Sequence, residues 1–189
     1  TSKIKITNFD SLEKIDLKNI DIIIDSSGKK EDIKLLKNLP VIAIFLTHPN
    51  NEADINVILG VNEKDLNPNI HKIISTSSCN ATALLPALKL INDKKEILCG
   101  DILTVHPLLN HQRVLDGSFV KSDTRDVNCN FEFGRSSTQN IIPNKTTTIK
   151  ACSFVLPNIN QNLISSSSLR VPTDTVGAIN VSLFTKEKS

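Results

Sequence analysis

The stretch Ser77-Ser78-Cys79-Asn80-Ala81-Thr82-Ala83-Leu84-Leu85-Pro86 decides how the rest of the chain is interpreted. A short apolar strand, Lys72-Ile73-Ile74-Ser75, precedes it, and apolar residues at helical spacing follow it. This pattern predicts a helix that begins at Cys79. The free backbone N–H groups and the positive dipole end of a helix favour a thiolate over a thiol. Cys79 is therefore a candidate nucleophile at the start of this helix.

A candidate base follows at Thr104-Val105-His106, where an alternating strand from Ile97 to Val105 ends. A helix followed by a returning strand can bring His106 back over the helix start. A thiolate beside a histidine is an arrangement used in nucleophilic catalysis. Isolated cysteine and histidine signals are weak, however, because a small buried cysteine and a packed histidine at two strand ends give the same pattern. The residues alone leave both interpretations open.

The first part of the chain has the pattern of a parallel sheet. Apolar runs at Ile20–Asp25, Pro40–Leu46, Ile55–Leu59 and Ile73–Ile74 predict buried strands, and residues 29–38 carry a helical pattern. Strand, helix and strand with short links predict an open parallel sheet. Ligands lie beyond the carboxyl ends of such strands, which is where Asp25-Ser26-Ser27-Gly28 is expected. An ordinary turn with a capping serine is the alternative there.

The pattern changes after Ser78. Long alternating strands with non-helical links predict an antiparallel sheet, with strands from Ser165 to Val171 and from Val176 to Phe184. Residues 144–156 predict a helix whose start carries Thr146, Thr147 and Thr148, either as plain caps or as an anion site. Residues 118–138 are polar and irregular, which is typical of functional or disordered segments.

Composition excludes several classes of protein. A formal charge of +2 and seven Phe as the only aromatic residues give no nucleic-acid platform. No apolar run has the length of a membrane span. The four cysteines have no metal-ligand spacing, and no secretory segment is present. We therefore expect a cytoplasmic protein with reduced thiols and without a metal, nucleic-acid or membrane partner. His48 and His71 are expected to be loop histidines.

Several short motifs occur along the chain in a fixed order. They are Leu59-Gly60-Val61-Asn62, Ser78-Cys79, Thr104-Val105-His106, Gln112, Leu115-Asp116-Gly117, Gln139-Asn140-Ile141-Ile142-Pro143, Val155-Leu156-Pro157 and Leu169-Arg170-Val171-Pro172-Thr173. Each is weak alone, but together they resemble the phosphorylating glyceraldehyde-3-phosphate dehydrogenase family in order and spacing.

The resemblance implies a fold and a set of roles. The fold is α/β plus α+β: residues 1–77 match the C-terminal part of a Rossmann-type NAD(P)-binding domain, and residues 78–189 match a catalytic domain with a mainly antiparallel sheet. Cys79 corresponds to the nucleophile and His106 to the base. The remaining matches are Ser78, Asn80, Thr146, Thr147 and Arg170 for substrate and inorganic phosphate, and Ser27 and Gly28 for NAD or NADP. The resemblance also implies a homotetramer, in which residues 118–138 reach a neighbouring subunit's cofactor site.

Some positions depart from the family. Asn80 and Leu109 stand where the family has hydroxyl side chains, Thr147 replaces a glycine, and His48 lies in the strand end that the family forms with Ser-Ala-Pro. No Gly-x-Gly-x-x-Gly is present. We therefore expect a portion of a longer dehydrogenase, with apolar sheet surface left open. The alternatives are a dehydrogenase of erythrose 4-phosphate, an inactive truncated dehydrogenase that serves as an interaction module, and, more weakly, a reductase of acyl phosphates.

Overall fold

The computed structural model describes residues 14–27, 33–110, 112–117, 134–146 and 148–187. The strands and helices of these ranges are β1 Ile22–Asp25, α1 Ile33–Lys37, β2 Ala43–Leu46, β3 Ile55–Asn56, β4 Ile73–Ser75, α2 Cys79–Lys94, β5 Lys95–His106, β6 Ile142–Asn144, α3 Thr148–Val155, β7 Ile164–Arg170 and β8 Ala178–Glu187. The predicted ligands Gly28 and Thr147, and residues 118–133 of the predicted irregular segment, lie outside the described residues. Within the described ranges, none of the helices is long and apolar enough to cross a bilayer.

Sheet A, formed by the first four strands in the order β1-β2-β4-β3, is entirely parallel. This confirms the parallel sheet that the sequence predicts. The expectation that its first strand is buried on both faces is wrong, because Ile22 and Ile24 are 54% and 70% exposed. Helix α1 covers the opposite face, where Ile33 and Leu36 pack against Ile44 in an apolar cluster. The other face of the β1 edge stays open.

Asp54 fixes α1 to sheet A. Its carboxylate accepts the backbone N–H groups of Lys72 at 3.0 Å and Ile73 at 2.8 Å, and pairs with Lys37 Nζ at 2.8 Å. Burial raises the pKa of Asp54, but the hydrogen bonds from Lys37, Ile73 and Lys72 outweigh burial, so the pKa lies below its ordinary value. Lys72 Nζ in turn donates to the carbonyl groups of Lys37 and Leu39, at the end of α1 and just beyond it.

Sheet B has the order β6-β7-β5-β8. The β5–β8 and β6–β7 pairs are antiparallel and the β5–β7 pair is parallel. The sheet is thus mainly antiparallel, as expected, with one parallel pair at its centre. Helices α2 and α3 cover one face, where Leu85, Leu88 and Cys152 pack with Ile102.

The apolar cluster of sheet B also includes residues that precede Ser78 in the chain. Ile58, which follows β3, is 2% exposed and belongs to the apolar cluster of α2, α3 and sheet B, and Val61 packs against the same cluster. Asn62 holds this loop in place: its side chain accepts the Ile58 N–H at 2.9 Å and donates to the Asn56 carbonyl at 2.9 Å. The boundary between residues 77 and 78 remains a prediction from the sequence.

Candidate active site

Cys79 lies where β4 of sheet A passes into α2. The turn between them is strained, because Ser77 is buried and has a φ of 65°, a conformation that side chains other than glycine disfavour. Ser75 Oγ accepts the Ser77 N–H at 3.2 Å and donates to the His48 carbonyl at 3.0 Å. Ser78 then caps the helix by accepting the Ala81 N–H at 3.4 Å. The predicted helix start at Cys79 is confirmed, and the residue is exposed there.

His106 and Arg170 are the last residues of β5 and β7, and they are register partners in the parallel pair. Partners in a parallel ladder place their side chains on the same face of the sheet. Ile102 and Thr104, which precede His106 on that face, are 0% and 1% exposed beneath the helices. The imidazole and the guanidinium therefore emerge together at the end of the helix-covered face.

The hydrogen bond of His106 assigns its tautomer. Its Nδ1 lies 2.8 Å from the carbonyl oxygen of Pro107. A carbonyl oxygen can only accept, so in the neutral ring the proton is on Nδ1 and the lone pair is on Nε2. Nε2 is thus the nitrogen that can accept a proton from a ligand.

Arg170 also interacts electrostatically with Cys79. Burial lowers the pKa of Arg170, and the Coulomb interaction with the Cys79 thiolate opposes this effect. The end of β7 is thus electrostatically coupled to the N-terminus of α2. The Nε and Nη1 atoms of Arg170 are buried without a hydrogen-bond partner among the described residues. Two buried N–H groups of a cation, both without a partner, are the complement of an anionic ligand.

The other predicted phosphate ligands are placed less closely. Ser78 and Asn80 flank Cys79 and are half-buried. Thr146 Oγ1 lies 2.7 Å from Thr148 Oγ1 and accepts the Thr148 N–H at 3.3 Å, so it caps α3. Within the described residues Thr146 shares no hydrogen bond with Cys79, His106 or Arg170. The structure therefore pairs His106 with Arg170 in the strand register, couples Arg170 electrostatically to Cys79, and leaves Thr146 at the start of α3.

Comparison with known proteins identifies the family. The family described as "Glyceraldehyde 3-phosphate dehydrogenase, C-terminal domain" matches residues 78–189. The chain belongs to the glyceraldehyde-3-phosphate dehydrogenase family. It is 34% identical to glyceraldehyde-3-phosphate dehydrogenase 2 of Trichormus variabilis over 85% of this chain and 45% of that relative. It is 33% identical to glyceraldehyde-3-phosphate dehydrogenase 1 of Bacillus subtilis over 86% of this chain and 46% of that relative. The chain spans about half the length of the curated relatives it matches.

Family membership confirms the resemblance on which the fold class was predicted. A second group of polar atoms lies in sheet A, at the carboxyl ends of β1 and β2. Asp25 is the last residue of β1, and His48 lies two residues beyond β2. One polar atom of each side chain, Asp25 Oδ2 and His48 Nδ1, is buried without a hydrogen-bond partner among the described residues. Ser27 donates its N–H to Asp25 Oδ1 at 2.8 Å. Unpartnered buried atoms at the carboxyl ends of parallel strands fit a polar ligand.

Two features of this candidate site go beyond the sequence prediction. His48 is a loop histidine as predicted, and the structure adds that its Nδ1 is buried without a hydrogen-bond partner among the described residues. Arg170 is predicted to converge with Cys79 and His106 by the family resemblance, and the structure adds the strand register that pairs it with His106. Gln112, one of the motif residues, accepts the Leu109 N–H at 2.7 Å and so braces the loop after His106.

Proposed function

We propose that this chain carries the catalytic residues of a phosphorylating aldehyde dehydrogenase. The substrate class is a phosphorylated aldehyde, glyceraldehyde 3-phosphate first and erythrose 4-phosphate as the alternative. With NAD or NADP and inorganic phosphate, the reaction gives an acyl phosphate, 1,3-bisphosphoglycerate in the first case. The proposal rests on one observation: His106 and Arg170 are register partners at the ends of β5 and β7, and Arg170 has two buried N–H groups without a partner among the described residues. Cys79 begins α2, the helix that covers this face of the sheet.

The first chemical step is attack of the Cys79 thiolate on the aldehyde carbon. The helix N-terminus and the Arg170 guanidinium are the positive groups that would stabilise negative charge developing in this step. The developing oxyanion takes a proton and becomes the hydroxyl of a thiohemiacetal. Oxidation of that carbon to a thioester requires the hydroxyl proton and a hydride to leave, and His106 Nε2 has the lone pair that can take the proton.

The second step needs two anions near the cysteine. The unpartnered Nε–H and Nη1–H of Arg170 are suited to the phosphate that the aldehyde carries. Inorganic phosphate would bind beside Ser78 and Asn80, with Thr146 and Thr147 at the start of α3 as its second half. Its oxygen attacks the thioester carbon, the C–S bond breaks, and the Cys79 thiolate is released with the acyl phosphate as product.

The cofactor supplies the hydride acceptor when bound. Ser27 and Gly28 would contact it at the end of β1, and the buried polar atoms of Asp25 and His48 give that edge further hydrogen-bonding groups. The family resemblance also supports a homotetramer, and the cysteine pattern supports a cytoplasmic location.

Cysteine alkylation with and without aldehyde tests the proposal without requiring turnover. We expect iodoacetamide to label Cys79 first, as located by mass spectrometry, and glyceraldehyde 3-phosphate to protect it by forming the thiohemiacetal. Cys152 is the internal control, since burial raises its pKa to about 11 and keeps it a thiol. Cys79→Ser abolishes the fast label, and His106→Asn slows it by about tenfold, a small part of the 10²–10⁴ that a positioned base contributes to catalysis.

Arg170→Lys separates a binding role for the arginine from a structural one. Lysine retains the charge but loses the planar fork. We expect protection by glyceraldehyde 3-phosphate to weaken by about tenfold while protection by unphosphorylated glyceraldehyde is unchanged. Equal labelling of Cys79 and Cys99, or protection that ignores the phosphate, would contradict the proposed site.

A further inference from the structure

A cavity of about 420 Å³ lies outside the proposed catalytic residues, between α3, the turn at residues 160–163 and the loop after β2. Its walls include Lys150 and Phe154 of α3, Gln161 and Asn162 of the turn, and Asn51 of the loop. Cys79, His106 and Arg170 do not line it. Its volume is within the range of about 300–1,000 Å³ that is typical of small-molecule sites.

The polar groups of this cavity are uncommitted. The side-chain amides of Asn51, Gln161 and Asn162 make no hydrogen bond within the described residues, and Lys150 Nζ forms no ion pair there. Ser153, also in the wall, donates its hydroxyl to the Lys150 carbonyl at 2.7 Å. The cavity therefore offers one cation and three amides whose donors and acceptors are free.

The charge balance of the wall selects the class of ligand. No aspartate or glutamate is among the described residues that line the cavity, so the Lys150 charge is not neutralised by a carboxylate of the wall. A single exposed cation suits one phosphate group. Amides, which both donate and accept, suit sugar hydroxyls. Phe154, which is 43% exposed, offers an apolar surface for the C–H face of a sugar ring or for a base.

We propose that this cavity binds a phosphorylated sugar, with the phosphate on Lys150 and the hydroxyls on the amides of Asn51, Gln161 and Asn162. The ligand is either a free sugar phosphate or the ribose phosphate portion of a nucleotide. Thr146, which caps α3, also lines the cavity, so the occupant lies beside the helix start that the proposed phosphate site uses. The binding itself does not depend on the proposed catalytic function.

Protection of lysine amines from acetylation tests the location of the ligand. The purified chain is treated with an acetylating reagent with and without ribose 5-phosphate, and the extent of modification at each lysine is measured by mass spectrometry. We expect Lys150 to be protected and Lys94, an exposed residue of α2 that does not line the cavity, to be modified equally in both samples. Protection confined to other lysines would overturn the proposal.

Calorimetric titration tests the class of ligand. Ribose 5-phosphate is expected to bind at least about tenfold more tightly than ribose or inorganic phosphate, because charge-assisted and neutral hydrogen bonds add. Lys150→Gln should weaken it by about tenfold or more, and Lys94→Gln should not. If AMP binds more tightly than ribose 5-phosphate, the ligand is a nucleotide. If it does not, the ligand is a free sugar phosphate.

Two results would overturn the inference: inorganic phosphate that binds as tightly as ribose 5-phosphate, or equal affinities for wild type and Lys150→Gln. Iodoacetamide labelling of Cys79 in Lys150→Gln keeps this test separate from the proposed function. We expect labelling at the wild-type rate, because Lys150 lines the cavity and Cys79 does not. Failure at Lys150 with normal labelling removes the cavity proposal and leaves the dehydrogenase proposal intact.

Discussion

The carboxyl ends of two parallel strand pairs, β1–β2 in sheet A and β5–β7 in sheet B, carry unpartnered polar groups. In sheet B the group is Arg170, whose Nε and Nη1 lack a partner among the described residues, and its register partner His106 lies on the same face. In sheet A they are Asp25, whose register partner is Leu46, and His48, which lies beyond that strand. The register of β5 and β7 thus positions the groups in sheet B, whereas turns position the groups in sheet A.

The two ends should therefore respond to different changes. The sheet B end depends on close backbone packing, since His106 and Arg170 keep their positions only if β5 and β7 keep theirs. The sheet A end depends on local hydrogen bonds: Asp25 with the Ser27 N–H, and Ser75 with the His48 carbonyl. Four variants, each with a control, probe this contrast in order of decreasing effect.

Ile44→Ala should have the largest effect, because it removes the centre of the sheet A core. Ile44 is 0% exposed and packs with Ile33, Leu36 and Ile73. We expect it to lower the free energy of unfolding by about 2–5 kcal/mol, measured by urea denaturation. Ile24→Ala is the control on the same sheet, because Ile24 is 70% exposed and should change stability by about 0.5 kcal/mol or less. Equal losses in the two variants would mean that the open face of β1 is covered in solution.

Gly177→Ala should disturb the sheet B end. A Cβ at this position would lie 2.5 Å from the Val105 carbonyl oxygen and 3.6 Å from His106 Cα. The backbone must shift to accommodate it, at a cost of about 1–3 kcal/mol. We expect slower iodoacetamide labelling of Cys79, because the end of β5 that carries His106 moves.

Gly60→Ala is the matched control for Gly177→Ala. Gly60 has a φ of 82°, and a Cβ added to it would have no neighbouring atom within 4 Å, so alanine there costs about 1 kcal/mol from conformation alone. It should destabilise the chain without slowing the Cys79 label. Equal slowing in both variants would show that labelling reports general stability and not the geometry of the sheet B end.

The features of the fold that depend on neighbouring residues in the chain are mostly predicted by the sequence. The start of α2 at Cys79, the parallel sheet A and the strand that ends at His106 all follow from periodicity and from cap residues. What the sequence does not show is non-local. The parallel pairing of β5 with β7 joins segments far apart in the chain, so the approach of Arg170 to Cys79 has no local signature. The exposure of Ile22 and Ile24 likewise depends on which elements pack on sheet A, because an apolar run alone does not show how many of its faces are covered.

Asp54→Ala tests the hydrogen bonds of sheet A through their pH dependence. Because the pKa of Asp54 lies below its ordinary value in the folded chain, the ionised carboxylate stabilises the fold above the unfolded pKa of about 3.9. This contribution is lost as the pH falls through the folded pKa. We expect the variant to lose about 1–3 kcal/mol near pH 7 and the difference from wild type to shrink below about pH 4, as measured by urea denaturation.

Asp93→Ala is the control for Asp54→Ala. Asp93 pairs with Lys89 at 2.6 Å on the surface of α2, and its side chain is 55% exposed. Such a pair contributes about 0.3–0.5 kcal/mol. A loss in Asp93→Ala as large as that in Asp54→Ala would mean that the hydrogen bonds to Ile73 and Lys72 are not what holds α1 on the sheet.

Variants of Ser77 test the turn that links the two sheets, and we expect them to have the smallest effect on stability. Its φ of 65° costs an alanine about 1–2 kcal/mol but costs glycine little. Glycine also adds disorder to the unfolded chain, which offsets part of the gain. We therefore expect Ser77→Gly to be more stable than Ser77→Ala by about 1 kcal/mol, measured as the difference in urea midpoint at equal slope. If alanine is equally stable, the turn relaxes in solution, and the position of Cys79 depends on the Ser78 cap alone.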